Sequence, residues 1–323
     1  MTGDPLDSAR SAAKPALYVR TFGWLTLTVL GAFLIANFLN VGYKIPSATT
    51  GNPIMLILYA VAIGLGLFYV MGSKHKPLRD DALLIHNFNV YLVRACFWAV
   101  LFVGVVDMTI AFLRTENLST YLMSESLAKE MVRPQFVGTY IHVPLIILGF
   151  IVAAFTRTLG FIWLALLIVA AELLIVLSRF IFSYEQAFMA DLVRYWYAAL
   201  FLFSSAYTLF EEGHVRVDVF YAGFKEKTRG YINAFGTILL GMTTCWVIIY
   251  IGFDGKTSII NSPVSNFEVT QTGSVGMFVK YQMAAFLGIF AITMLIQFVS
   301  YLFEAVADYR QEAGKREVAA ISH

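Results

Sequence analysis

Leu159–Phe182 reads LGFIWLALLIVAAELLIVLSRFIF, with one ionisable side chain, Glu172, in its middle and a second, Arg179, near its end. As an α-helix this run is about 36 Å long, enough to cross a hydrocarbon core of about 30 Å. The period-2 alternation of a barrel strand is absent, and a lone segment in lipid satisfies its backbone only as a helix. Apolar runs of the same kind precede it at Thr21–Val41, Ile54–Met71, Val90–Leu113 and Tyr140–Phe155. Others follow at Leu192–Phe210, Ile232–Phe253 and Met283–Phe303. Tyr140–Phe155 is the shortest and contains Pro144. The expectation is an all-α, polytopic helical membrane protein with about eight transmembrane helices.

Composition points the same way. Of 323 residues, 59% are hydrophobic and only 14% charged, against roughly 25% charged in soluble domains. So little charge cannot cover the apolar surface of a water-soluble chain. Soluble enzyme, disordered tail, disulfide scaffold and nucleic-acid binder are thereby excluded. Cys96 and Cys245 lie far apart inside apolar runs, with no C-x-x-C or Cys/His cluster to suggest redox or zinc chemistry. Residues 1–20 are polar and the run after them has the length of a span rather than a signal core.

Lys and Arg set the expected orientation. With a cytoplasmic N-terminus, the inner segments hold fourteen of the 23 basic residues and the outer segments six, while Arg94, Arg179 and Arg194 sit within helix ends. Both termini are therefore expected in the cytoplasm. Trp24, Tyr43, Trp163, Tyr184, Trp196 and Tyr281 fall near span ends, as interfacial anchors do. In Ser119–Arg133, Met123, Leu127 and Met131 recur every fourth residue opposite Glu125, Lys129 and Glu130, the pattern of an amphipathic helix on the outer surface. Val219, Phe220, Gly223 and Phe224 before Lys225, Lys227 and Arg229 suggest a second one on anionic membrane lipids. Small-residue pairs such as Ala60/Gly64 and Ala62/Gly66 favour close helix approach.

Asp107 and Glu172 fall inside expected spans. A carboxylate there costs a few kcal/mol, so each is either functional or paired with a neighbouring helix for assembly. An autonomous carrier would show a polar midplane constellation with broken helices in two related halves, and no such repeat is evident. A haem anchor needs two histidines on one iron. His86, at the inner end of the third span, and His142, at the outer end of the fourth, are expected on opposite sides. A quinone-associated anchor of a redox complex needs few specific residues and stays open as the alternative.

The segment after the sixth run, Glu211-Glu212-Gly213-His214-Val215-Arg216-Val217-Asp218-Val219-Phe220, spaces His214, Arg216 and Asp218 two apart at the expected cytoplasmic surface. Asp218 suits capping of a following helix, and Arg216 offers a bidentate fork to a carboxylate or lipid phosphate. This segment resembles the G-H-x-R-V-D signature of the small permease (Q, DctQ-like) subunit of the tripartite ATP-independent periplasmic (TRAP) transporters. Ser178-Arg179-Phe180-Ile181-Phe182 is similar to the family's L-R-Y-x-F end of a first core helix. Asp191-Leu192-Val193-Arg194-Tyr195 is similar to its acidic-x-x-Arg-Tyr start of a second.

The resemblance covers about residues 159–305. It implies a four-helix core preceded by a four-helix membrane extension over 1–158 and followed by a cytoplasmic tail over 306–323. Glu211-Glu212 are more acidic than the family's usual residues there. The resemblance further implies a non-catalytic scaffold in the bacterial inner membrane, packed on a large M subunit that binds substrate and sodium. A periplasmic binding protein would deliver a small organic acid, and the chain itself would hold no cofactor. Arg179, Asp191 and Arg194 then become candidates for holding the core or meeting the binding protein. Asp191 and Arg194, three residues apart, can also pair on one helix face. His214, Arg216 and Asp218 are candidates for ordering the inner arm against M.

Overall fold

The computed structural model describes residues 16–46, 51–157, 160–210, 221–270 and 272–315. Its described residues are helical with no strand. The long helices are α1 (Leu17–Tyr43), α2 (Pro53–Gly72) and α3 (Leu78–Thr115). After the short α4 (Ser119–Leu122) and α5 (Glu125–Glu130) come α6 (Pro134–Phe155), α7 (Phe161–Phe182), α8 (Ala187–Phe210) and α9 (Glu226–Gly252). The short α10 (Asn261–Ser265) and α11 (Lys280–Tyr309) complete the order.

Seven of these helices, α1, α2, α3, α6, α7, α9 and α11, are long and apolar enough to cross a membrane. The expected sixth span, α8, forms as a 24-residue helix but is not among them. Asp191, Arg194 and a series of Tyr, Ser and Thr residues lower its hydropathy. That polarity is tolerable because Leu192, Tyr195, Trp196, Ala199 and Phe203 are buried in protein. The third span extends twelve residues before the expected Val90, to Leu78. The fourth begins at Pro134 rather than Tyr140.

Pro144 explains the fourth span. Its ring nitrogen cannot donate to the carbonyl four residues back. The chain widens into a π-helical turn over Gly138–His142, with the Val143 amide bonded to the Gly138 carbonyl, and then resumes as α-helix. A second wide turn lies in α9 at Thr237–Met242. The expected single surface helix over Ser119–Arg133 is instead two short ones. Met123 is extended, and Ser124 starts α5 by accepting from the Leu127 amide at 3.4 Å. Lys225 stands at the N-cap position of α9 without a side-chain capping bond, and Lys227 and Arg229 belong to its first turns.

The chain divides into two compact units. One comprises Met1–Asn89, Ala206–Tyr250 and Met294–His323. Here α2 begins with Asn52 accepting from the Ile54 amide at 3.0 Å and Pro53 in the first turn, the usual helix-start chemistry. Gly66 lets α1 approach: a Cβ there would stand 3.0 Å from Thr28 Oγ1 and 3.2 Å from a Leu25 methyl. Gly64, by contrast, faces open space.

The other unit comprises Val90–Ser205 and Ile251–Thr293. Phe97, Val103, Leu164, Tyr195, Phe203 and Phe286 are among the residues that form its buried centre. Trp196 donates to the Val100 carbonyl at 3.3 Å and lies against Gly104. At Gly149 a Cβ would meet the Ala99 backbone nitrogen at 2.5 Å, so α3 and α6 touch backbone to backbone. Gly149→Ala is expected to lower stability by about 1–3 kcal/mol through forced separation of these helices. Thermal unfolding of the purified protein in detergent checks this.

Candidate functional site

In the second unit, two carboxylates and one guanidinium converge on the segment that leads into α11. Asp107, fully buried on α3, accepts the Phe278 amide at 2.7 Å. Asp191, near the start of α8, accepts the Met277 amide at 3.1 Å and the Thr272 hydroxyl at 3.4 Å. Arg114 donates to the Ser274 and Gly276 carbonyls and stacks over the Phe278 ring at 4.0 Å. Met277, Phe278 and Val279 are buried as a result. Irregular backbone has no ladder of its own, and these side chains supply its missing partners.

A polar chain continues from Asp107. His142 Nε2 lies 3.3 Å from Asp107 Oδ1. His142 Nδ1 faces the Tyr281 hydroxyl at 2.9 Å and the Gln282 amide nitrogen at 3.1 Å. Gln282 also donates to the Tyr281 hydroxyl at 3.0 Å and accepts from Tyr195. An amide nitrogen donates and cannot accept. His142 Nδ1 is therefore the acceptor, which puts the proton of a neutral ring on Nε2, facing Asp107. From His142 onward each member orients the next, as in other buried networks, while His142 Nε2 and Asp107 Oδ1 face each other without a formed hydrogen bond.

The other residues singled out from the sequence are placed differently. Arg194 is exposed and stands 3.8 Å from Asp191. Arg179 is exposed and pairs with Glu185 at 3.4 Å at the end of α7. Nearby, the Tyr184 hydroxyl donates to Glu116 at 2.7 Å; burial and this carboxylate push its phenol up to about 12. Glu172 is exposed at the middle of α7 and has no hydrogen-bond or ion-pair partner among the described residues. His214, Arg216 and Asp218 lie outside the described residues.

The first unit holds a cluster that sequence reading missed. Arg20 is fully buried and donates to Asp81 at 2.8 Å and to the Ser73 hydroxyl at 2.8 Å, with a further bond to the Ser73 carbonyl. Asp81 also receives Trp24 at 3.1 Å, Tyr69 at 3.2 Å and Lys76 at 3.0 Å. Burial works against the Lys76 ammonium, but its bonds to Tyr69 and Asp81 outweigh this and raise its pKa. The start of α1, the end of α2 and the start of α3 are thus tied to one carboxylate. The available signal was a pair of acids, Asp80 and Asp81, at the head of an apolar run.

Arg79, buried beside them, pairs with Glu304 at 2.5 Å and Asp308 at 2.8 Å on α11. A cavity of about 310 Å³ adjoins this group, with Asn233, Gln297, Ser300 and Lys315 in its walls. Lys315 bonds to Glu226 at 2.5 Å, which raises its pKa. His86 stacks on Phe210 and bonds to Gln297 at 3.1 Å. The two histidines weighed as haem ligands are thus engaged with separate partners. In the second unit, an apolar cavity of about 260 Å³ is bounded by Leu92, Cys96, Phe150, Phe203 and Phe286, with Gln282 at its wall. Among the described residues no group of three or more His, Cys, Asp or Glu could hold a metal.

Residues 166–308 match the family model described as "Tripartite ATP-independent periplasmic transporters, DctQ component". No curated protein and no solved structure matches the chain. The match runs from the first quarter of α7 almost to the end of α11.

Proposed function

We propose that this chain, whose residues 166–308 match the DctQ component of the tripartite ATP-independent periplasmic transporters, is a small permease subunit of that family and the scaffold on which a large M-type subunit is held. It is a multi-pass membrane protein and a transporter component, not an enzyme. In this reading the complex sits in the bacterial inner membrane with both termini of this chain in the cytoplasm. It imports a small organic acid with sodium, and a periplasmic substrate-binding protein delivers the cargo. Substrate and sodium sit on the M-type subunit. Residues 159–305 serve as the core of the scaffold, 1–158 as an added membrane extension and 306–323 as a tail.

One observation carries this reading. The buried carboxylates Asp81, Asp107 and Asp191 are committed to amides, hydroxyls and cations of this same chain. A transport site must offer polar groups to its cargo and release them again. Groups locked onto their own backbone suit a rigid framework. Purification from the native membrane should therefore recover this chain with a much larger membrane protein. Vesicles holding this chain alone should show no solute uptake, and accumulation against a gradient would refute the scaffold reading.

Arg216, in the stretch that resembles the family signature, is proposed to hold the cytoplasmic arm against the partner. Arg216→Ala is expected to reduce co-purified partner at least about fivefold, corresponding to about 1 kcal/mol. Membrane insertion should be unchanged because many other cations set orientation. Quantitative blotting of both chains in membranes and in the purified complex reads the two effects separately.

A further inference from the structure

Glu172 sits at the middle of α7, a helix of 22 residues. One side of α7 is embedded in the unit through Leu164 and Ile168. The other exposes Ile162, Leu166, Val169, Leu173, Val176 and Phe180, spaced as one continuous helical stripe. Glu172 lies on the flank of that stripe toward Ile168, exposed, three residues after Val169 and four before Val176. Its neighbours along the helix are apolar, and the nearest basic residue in sequence, Arg179, is paired with Glu185.

Hydrocarbon offers nothing to a carboxylic group at this position. Mid-helix placement leaves the interface about 15 Å away, beyond the reach of a short glutamate stem. A carboxyl there costs a few kcal/mol unless a protein donor meets it. Asp107, in the middle of α3, is held by an internal amide, while Glu172 has no such partner among the described residues. The complement of this stripe is therefore apolar along its length, with one hydrogen-bond donor at half depth.

Resting on the scaffold reading above, we infer that the Glu172 face of α7 docks a transmembrane helix of the large partner subunit that presents a hydrogen-bond donor to this carboxyl. Tight interhelical packing along Val169, Leu173 and Val176 would bring that donor to Glu172. The bond then fixes which helix docks and at what height, in the way single polar groups set register in helix pairs.

The test uses the full chain expressed with its complex in native membranes. A photo-crosslinking residue replaces Val169 or Val176, and Glu172→Leu and Glu172→Gln are compared with the parent for co-purified partner. Crosslinks to the larger membrane protein are expected. Glu172→Leu should lose partner about tenfold, the equivalent of one intramembrane hydrogen bond, and Glu172→Gln less, because an amide still accepts. Neither change removes an internal contact, so the amount of inserted chain should hold. Crosslinks to lipid alone, or to a second copy of this chain, overturn the inference, as does full partner recovery with Glu172→Leu. In each of those cases a parent chain that still brings down the large subunit leaves the scaffold reading intact. A parent chain that comes down without it overturns both.

Discussion

Asp107→Ala should destabilise the protein by about 3–5 kcal/mol, the range for removing one partner of a buried charged contact. Two groups lose their partner at once. The Phe278 amide, bonded at 2.7 Å, is left buried with no acceptor, and His142 Nε2 loses the carboxylate 3.3 Å away. The damage should spread to Tyr281 and Gln282, whose own bonds depend on the ring's orientation. Asp107→Asn keeps an acceptor for Phe278 but turns an NH2 group toward the His142 N–H, so a loss of roughly 1–3 kcal/mol is expected. Thermal unfolding of the purified protein ranks the variants. Limited proteolysis should show cleavage between Glu268 and Gln282 appearing first in Asp107→Ala, and an unchanged cleavage pattern would refute the clamp.

Arg20→Ala is expected to cost about 3 kcal/mol or more, for a related reason. Asp81 would keep Trp24, Tyr69 and Lys76 but lose its fully buried cation, and Ser73 would lose the donors that tie it to α1. Arg20→Lys should restore little of this. A lysine ammonium is a compact point charge and does not reproduce the planar fork that spans Asp81, the Ser73 hydroxyl and the Ser73 carbonyl. A melting temperature for Arg20→Lys equal to that of the parent would show that the fork is unnecessary. Because the cluster joins α1, α2 and α3, the loss should appear as early exposure of α1 and α2 to protease, before the rest of the chain.

Hydropathy made most of the membrane helices legible, with ends displaced by a few residues. The larger errors have definite causes. The third span looked as though it began at Val90 because His86, Asn87 and Asn89, and before them Arg79, Asp80 and Asp81, interrupt the apolar run. In the folded chain Arg79 is neutralised by Glu304 and Asp308, and Asp81 by Arg20 and Lys76. Apart from Lys76, those partners lie far away in sequence, where no periodicity could point to them. The fourth span looked short because Gln135, Gly138 and Thr139 break the apolar run before Tyr140, and Pro144 inside the run gave no sign of the widened turn ahead of it. Asp107 was legible as a residue that needed explaining, since a carboxylate in an apolar run always does. Its use in holding an amide 171 positions later was not, because only the fold brings the two together. Glu172 carried the same sequence signal and met the opposite fate, an exposed side chain with no partner among the described residues.

The widened turn at Gly138–His142 has one residue more than an ordinary helical repeat would use. Shortening the chain by a single residue there would remove the extra residue and leave the segments on either side near their present registers, whereas the same loss in a regular turn rotates one side by about 100°. The portion from Val143 to Phe155 would keep its registration against Ala99. Loss of one residue in this helix should accordingly be survivable at that turn and ruinous three residues later, beyond Pro144, which makes the turn a natural place for length variation.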